Sequence, residues 1–421
     1  MQTRSLVFSA LAATSLGASS NSSEPDICNT SLNVTGQADL DKVAGCQKFN
    51  GDITIQSAGA NLIFNGIQEL DGSLTAVNLT DLASISAPQL TSISDDLELA
   101  ILQSLSTLSM PALTKVGSIS FRTLPALREM QFNKGVQEAS NVLITDTQLN
   151  SLDGLNLSQV DNFNINNNRF ISDITVGVTS VTNLLDISFN AAKVNVSLPN
   201  LEWANNATFQ FCSSVDLPSL KKVNLSMGFI NNTIYGINLP QLTEIGQSFA
   251  IVSNSKLSNT SAPQLGRIGG GFQIANNTNL KAIVGFGNLS FVGGAIDFVG
   301  NFTKAELPNI EDVEGGVVVD SSGQIDCDSF DSAHSKGDFH GDKYVCKGLS
   351  TTASFSMTGK ATGTGDSSSG SGSATATGSA SDSGSSSKSS SSKSSKSKNG
   401  VEKVAVPGML SAIALAIFSL F

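Results

Sequence analysis

The sequence predicts an all-β parallel solenoid of about 13 coils, each about 22 residues long, closed by disulfides at both ends. Two periodic features carry that reading. Eight of the ten prolines fall in one phrase, an apolar or small residue, Pro, any residue, then an apolar residue: Pro88, Pro111, Pro125, Pro199, Pro218, Pro240, Pro263 and Pro308. From Pro199 onward the steps are 19, 22, 23 and 45 residues, the last spanning two periods. Short alternating apolar segments give the second track. They begin near Ile53, Leu74, Leu97, Ile119, Val142, Phe163, Leu185, Phe209, Phe229, Phe249, Phe272, Ile296 and Val318, twelve steps over 265 residues. A fixed period of about 20–50 residues marks a stacked repeat whose units cannot bury an apolar face alone.

The elements follow in chain order. Arg4 precedes an apolar run from Leu6 to Leu16 and the small residues Gly17, Ala18 and Ser19, the layout of a cleaved secretory signal over residues 1–18. The mature chain then meets an oxidising compartment. Cys28 and Cys46 flank the start of the folded part and Cys327 and Cys346 its end, a placement that points to two local disulfides. Cys212 is left as a buried free thiol, with intermolecular pairing as the alternative. The ectodomain is thus 19–349, with an N-terminal cap at 28–50, coils over 51–322 and a C-terminal cap at 323–349. Within a coil, a period-2 strand such as "FQIANN" from Phe272 or "IDFVGN" from Ile296 leads through a corner to a second short strand after Pro-x-Leu. Proline cannot donate to a ladder, so in "DLPSLKKV" it sits at the corner, with Leu220 and Val223 turning inward. Gly, Asn and Ser supply the other corners, and no repeat segment of ten or more residues has a helical period.

Residues 350–399 are almost all Ser, Gly, Thr and Ala, too polar to bury a core, and read as a disordered, O-glycosylated stalk. Residues 400–421 end in an apolar tail from Met409, too short for a bilayer span of about 20 residues. Small residues at Asn399 and Gly400, a polar spacer and that tail match a signal for glycosylphosphatidylinositol (GPI) attachment, with Asn399 as anchor residue and Ser395 or Ser392 as alternatives. A single-pass helix is the competing reading, and Pro407 and Gly408 interrupt it. The chain carries a net charge of −11. Five Lys against two Asp over 350–400 leave −14 on the rest, an acidic surface that argues against nucleic acid.

Several residue groups are candidate sites. Asn167, Asn190, Asn231, Asn254, Asn276 and Asn301 recur just after the first strand. Such a row could bind carbohydrate, but stacked Asn at a solenoid corner more simply hydrogen-bonds its own backbone. Lys222, Glu244 and Arg267 follow the proline phrase on successive coils and fit cross-strand charge pairing. Glycoside hydrolysis needs two carboxyl groups about 5–10 Å apart. The outward positions of the first strand read Glu98, Ser120, Leu143, Asn164, Asp186, Gln210, Ile230, Ala250, Gln273 and Asp297, with the acids several coils apart. His334 and His340 lie among Asp328, Asp331, Asp338 and Asp342 in the C-terminal cap, at a spacing that matches no metal-ligand pattern. No catalytic, metal or cofactor residue is assigned, and no phosphate loop, dinucleotide fingerprint or nucleophile elbow occurs. Glycosylation sequons stand at Asn29, Asn33, Asn78, Asn156, Asn195, Asn206, Asn224, Asn231, Asn259, Asn276, Asn288 and Asn301, with Asn21 beside the signal.

The ordered combination of "GCQKFNGDITI" after Cys28, the "APQL", "LPNL" and "LPSL" repeats, the "CDSF" to "YVC" cap, the serine stalk and the anchor signal resembles the fungal GPI-anchored cell-wall organisation proteins. These are relatives of the sporulation-specific surface proteins. The resemblance implies a right-handed β-helix, receptor L-domain-like and leucine-rich-repeat-like, at the outer plasma membrane or in the wall. It implies a role in wall integrity and mannoprotein deposition, and it supplies no catalytic residues to carry over. The expectation is therefore a non-enzymatic surface glycoprotein, tied to the membrane by its lipid anchor, that binds or organises β-glucan, chitin and mannoproteins. A wall-remodelling glycoside hydrolase or transglycosylase, and a receptor-like module for a protein ligand, are the rivals.

Overall fold

Alternating apolar residues on consecutive coils have one way to hide together: they stack inward while the backbone pairs upward and downward. The structure, a computed structural model that describes residues 26–57 and 59–349, is built this way. All its strand pairs are parallel. It holds about 13 coils at roughly 22 residues per turn. The signal at 1–18, the stalk, the anchor segment with Asn399, and Asn21 lie outside the described residues.

One coil shows the plan. The short strand Glu244–Ile245 leads through a bend at Gly246 into the long-sheet strand Phe249–Val252. Ser253 turns the corner, Asn259–Ser261 forms a third side, and the turn around Pro263 starts the next coil at Arg267–Ile268. In this coil and the next the bend requires glycine. A Cβ on Gly246 would lie 1.9 Å from the carbonyl oxygen of Asn224, and one on Gly269 would lie 2.0 Å from that of Gly246.

The long sheet runs unbroken past residues 150–168, since Asn141–Thr147 pairs with Gln159–Asn166 and that strand with Ser180–Ser188. This is one solenoid, not two L-domains. The third side is discontinuous there, ending at Met130–Gln131 and resuming at Asp173–Thr175.

The register corrects the predicted strand starts in three coils. Leu185 pairs with Ala207, which pairs with Met227, which pairs with Phe249, so Ala207 and Met227 take the places assigned to Phe209 and Phe229. Those phenylalanines lie two residues on, still inward. A two-residue slip preserves the face of every side chain, so alternation cannot detect it. At the last coil Ile296 pairs with Val317, not Val318, which faces out.

The core is a column of buried aliphatic and aromatic residues. Phe249 and Phe272 stack with ring centroids 5.4 Å apart, Phe272 meets Phe298 at 5.1 Å, and Phe298 meets Phe330 at 6.5 Å. Phe330 belongs to the cap helix Asp328–Lys336, so that helix plugs the open end of the stack. Disulfides Cys28–Cys46 and Cys327–Cys346 fasten the two caps, which shield the terminal coils where pairing would otherwise be open.

Ten successive coils turn the corner after the long strand with one residue at positive φ, between 53° and 59°: Asn78, Ile101, Thr123, Asp146, Asn167, Phe189, Phe211, Asn231, Ser253 and Asn276. Asn and Asp tolerate this region. A branched or aromatic side chain there costs on the order of 1–3 kcal/mol.

Candidate functional site

The asparagines expected to form one row divide into two. Asn167, Asn231 and Asn276 occupy the left-handed corner and are exposed, as is Asn301. The buried ladder lies one residue later, at Asn168, Asn232 and Asn277, joined by Asn190 and Asn254. The repeated Asn-Asn doublet explains the offset, because both positions favour Asn for different reasons. Within the ladder an amide spans three coils, as at Asn254. Asn254 Oδ1 accepts from the backbone N–H of Asn232 at 3.0 Å, and Asn254 Nδ2 donates to the carbonyl of Phe229 at 2.9 Å and to Asn277 Oδ1 at 3.1 Å. The ladder is structural.

Cys212 stands in the same column and breaks it. Its backbone N–H is accepted by Asn232 Oδ1 at 2.8 Å, but its thiol reaches only the Gln210 carbonyl in its own coil, at 3.5 Å. Asn190 therefore makes no side-chain bond onward, unlike Asn168, whose N–H and Nδ2 both donate to Asn190 Oδ1. Burial pushes the free thiol up to about 12, with the Asp186 carboxylate adding to the effect, so Cys212 is inert. Cys212→Asn should complete the ladder and raise stability by about 1 kcal/mol, read as a higher guanidinium midpoint.

The outer faces carry different ladders. On the long sheet Asn141 donates to Ser118, Asn162 to Asn141 and Asn183 to Asn162, at 3.2, 2.6 and 2.7 Å. Beside them Thr145 donates to Asn166, and Asn166 to Asn164. The short strands align Lys48, Glu69, Ser92, Lys115 and Glu138 in one run. A second run holds Gln159, Ser180, Trp203, Lys222, Glu244, Arg267, Phe291 and Asp312. Lys222 pairs with Glu244 at 2.7 Å, and the Arg267 guanidinium sits 3.7 Å over the Phe291 ring. Exposed pairs of this kind hold register more than they add stability.

The outward column of the long sheet also needs two corrections. The partners that follow Asp186 are Thr208 and Gly228, not Gln210 and Ile230, which belong to the next outward column. From Thr208 on, these columns are mostly small or apolar, and Thr208, Gln210 and Gln273 among their polar members are buried, as are Ala250 and Ala275. The accessible polar part of this sheet is its N-terminal half.

Two acids in that column have raised pKa values. Burial lifts Asp186 to about 6 against a bond to Ser188, and its buried Oδ1 has no hydrogen-bond partner among the described residues. Burial also raises Asp297, and Asp320 on the adjacent coil pushes the same way, while Gln273 and Lys343 oppose. Asp297 and Asp320 stand diagonally on adjacent coils, a proximity that the predicted column missed because Asp320 sits two residues past the partner of Asp297. Asp320 is itself paired with Lys347 at 3.2 Å.

In the C-terminal cap His334 stacks on Tyr344 at 4.2 Å, the Tyr344 hydroxyl donates to Asp331 at 2.5 Å, and His340 lies 3.3 Å from Asp312. Among the described residues no group of three or more His, Cys, Asp or Glu is placed to hold a metal.

The sequons follow the geometry. Asn206 and Asn224 lie at the bend between sheets, Asn78, Asn231, Asn276 and Asn301 at the corner, Asn195 and Asn259 on the third side, and Asn156 and Asn288 in turns before short strands. Asn29 and Asn33 lie in the first coil. All are exposed except Asn206, which is half-buried. None of the five ladder asparagines is a sequon, and neither is Asn141, Asn162, Asn164, Asn166 or Asn183 on the long sheet.

A capped parallel solenoid with sequons on its turns, bends and third side defines a class of extracellular repeat glycoprotein. The chain is 38% identical over 77% of its length to the cell wall mannoprotein PST1 of Saccharomyces cerevisiae, covering 74% of that protein. It is 36% identical to cell wall protein ecm33 of Schizosaccharomyces pombe over 84% of this chain and 85% of that one. With the cell surface GPI-anchored protein ECM33 of Candida albicans it shares 33% identity over 85% and 88% of the two chains. The chain belongs to the fungal Ecm33/Pst1 family of GPI-anchored cell-wall proteins. It is a protein of the cell surface and wall, reached through the secretory pathway. No protein-family model and no solved structure matches it.

Proposed function

We propose that this protein is a non-enzymatic scaffold of the wall, which binds polysaccharide along its solenoid and so organises β-glucan, chitin and mannoproteins around it. One observation carries the reading: beyond the first coil, the outer columns in the N-terminal half of the long sheet bear amide ladders, the two runs of short strands bear charge pairs, and none of these positions is a sequon. Glycans at turns, bends and the third side leave those faces bare. A row of polar groups repeating once per coil, about 4.8 Å apart, is close to the length of one pyranose unit and offers a polymer the same contact many times over. Wall association of relatives named for the cell wall and for mannoprotein fits this reading.

The test is co-sedimentation of the glycosylated ectodomain, residues 19–349, with insoluble β-glucan, chitin and mannan, scoring released reducing sugar in the same tubes. Pelleting without sugar release is the expected result. Replacing Asn141, Asn162 and Asn183 together by Ala should weaken binding about tenfold. Absence of pelleting with every polymer would move the weight to a protein ligand. A hydrolase is the second reading, and the Asp297–Asp320 pair is what favours it. It requires sugar release that Asp297→Asn abolishes.

A further inference from the structure

Along the left-handed corner row the occupants are Asn, Asp, Ser or Thr in seven coils, and Ile101, Phe189 and Phe211 in the other three. Nothing in the coil calls for an apolar side chain there: Phe211 is 39% exposed and Ile101 43% exposed, so neither fills the core. Their neighbours are more informative. Val77 pairs with Ala100 and Gln210 with Ile230, which sets Ile101 beside Asn78 and Phe211 beside Asn231 in the corner row. Both asparagines are exposed sequon residues. Phe189 packs against Phe211 with centroids 4.5 Å apart and the rings tilted by 39°, on the side away from Asn231.

We infer that Phe211, buttressed by Phe189, is a seat for the first N-acetylglucosamine of a glycan carried on Asn231. The apolar C–H face of a pyranose suits the face of an aromatic ring, and adjacent coils set attachment atom and ring about one strand spacing apart. The side chain of Asn231 makes no hydrogen bond with the described residues, whereas Asn195 is tied to Asp173, Ser213 and Ser214. Its Nδ2 is thus open to form the bond to the anomeric carbon of a lipid-linked oligosaccharide, losing one amide proton as the lipid diphosphate leaves. A covalently held sugar meets the ring at high effective concentration, so a weak stacking contact suffices to hold it. Asn276 supplies the internal control. It is a sequon residue in the same row whose preceding neighbour is Ser253 and whose following coil places Gly300 there.

The experiment is site-resolved release of glycans from the native ectodomain by a peptide-N-glycosidase, followed by mass spectrometry of the peptides around Asn231 and Asn276. In the parent protein Asn231 should lose its glycan more slowly than Asn276. Phe211→Ala should speed release at Asn231 roughly fivefold and leave Asn276 unchanged. Phe211→Leu keeps apolar bulk without a ring face, folds if the alanine variant does not, and should show most of the same acceleration. Equal release rates in parent and variants, or an Asn231 that carries no glycan in the parent, would overturn the inference. No wall polymer enters this assay, so its outcome is independent of the scaffold reading.

Discussion

Asn254→Ala lowers the stability of the folded region by about 3–5 kcal/mol, although it deletes only one small polar side chain. Asn254 is fully buried, and four backbone and side-chain groups on neighbouring coils depend on it, the Asn232 Nδ2 at 3.0 Å among them. The N–H of Asn232 loses its acceptor, the carbonyl of Phe229 loses a donor, and Asn277 Oδ1 loses one of the donors it accepts from. No water replaces them in a packed coil, and an orphaned buried polar group costs roughly 1–3 kcal/mol. Asn183→Ala removes an amide bond to Asn162 of similar length, 2.7 Å, but from an exposed outer face. Solvent compensates there, and the loss stays under about 1 kcal/mol. Guanidinium midpoints of the two variants check the contrast, and hydrogen exchange should show protection lost first in the coils around Met227–Ile230 and Phe272–Ala275. In a stack held by nearest-neighbour contacts, breaking one rung weakens both interfaces it joins.

The same ladder marks the limit of what the sequence discloses. The period, the parallel stacking and the caps were legible because they are written in residue type: inward apolar residues, corner prolines, and cysteines at the two ends. Phase was not. Phe209 reads as the equivalent of Phe249, yet Ala207 is, because strand alternation is blind to a shift of two. Asn231 and Asn232 are adjacent, and only the backbone shows that the first turns the corner while the second enters the core. Phe189 and Phe211 gave no local sign of a left-handed corner, since aromatic residues disfavour it. Their position follows from the coils above and below, which is information carried by register. The Asp297–Asp320 pair was missed for the same reason. Neither acid is unusual alone, and what couples them is a diagonal between coils.

Asp186→Asn should make the protein more stable at neutral pH and lessen the fall of stability with rising pH expected of the parent chain. The Asp186 carboxyl titrates at about 6 in the fold against 3.8 when unperturbed, with burial as the main cause. The folded state therefore holds its proton more tightly than the unfolded chain. Stability is unaffected below about pH 4, falls as the pH rises through the window from about 4 to 6, and stays lowered above it. At pH 7 the full penalty is about 3 kcal/mol. Unfolding midpoints measured from pH 4 to 7 should decline more steeply in the parent than in Asp186→Asn, where the raised Asp297 carboxyl still contributes, with the two curves meeting at the acid end. A curve for Asp186→Asn that parallels the parent would assign the dependence to another group. The location of the penalty separates stability from binding. Asp186 pairs with Asn164 in the amide-rich part of the long sheet, and its buried Oδ1 has no hydrogen-bond partner among the described residues. A buried acceptor is closed to a polymer lying on the outer face, and nothing on the protein side offsets the desolvation of its charge. Asp186→Asn should therefore stabilise the fold and leave polysaccharide pelleting unchanged, whereas the exposed Asn183→Ala should weaken pelleting at little cost in stability.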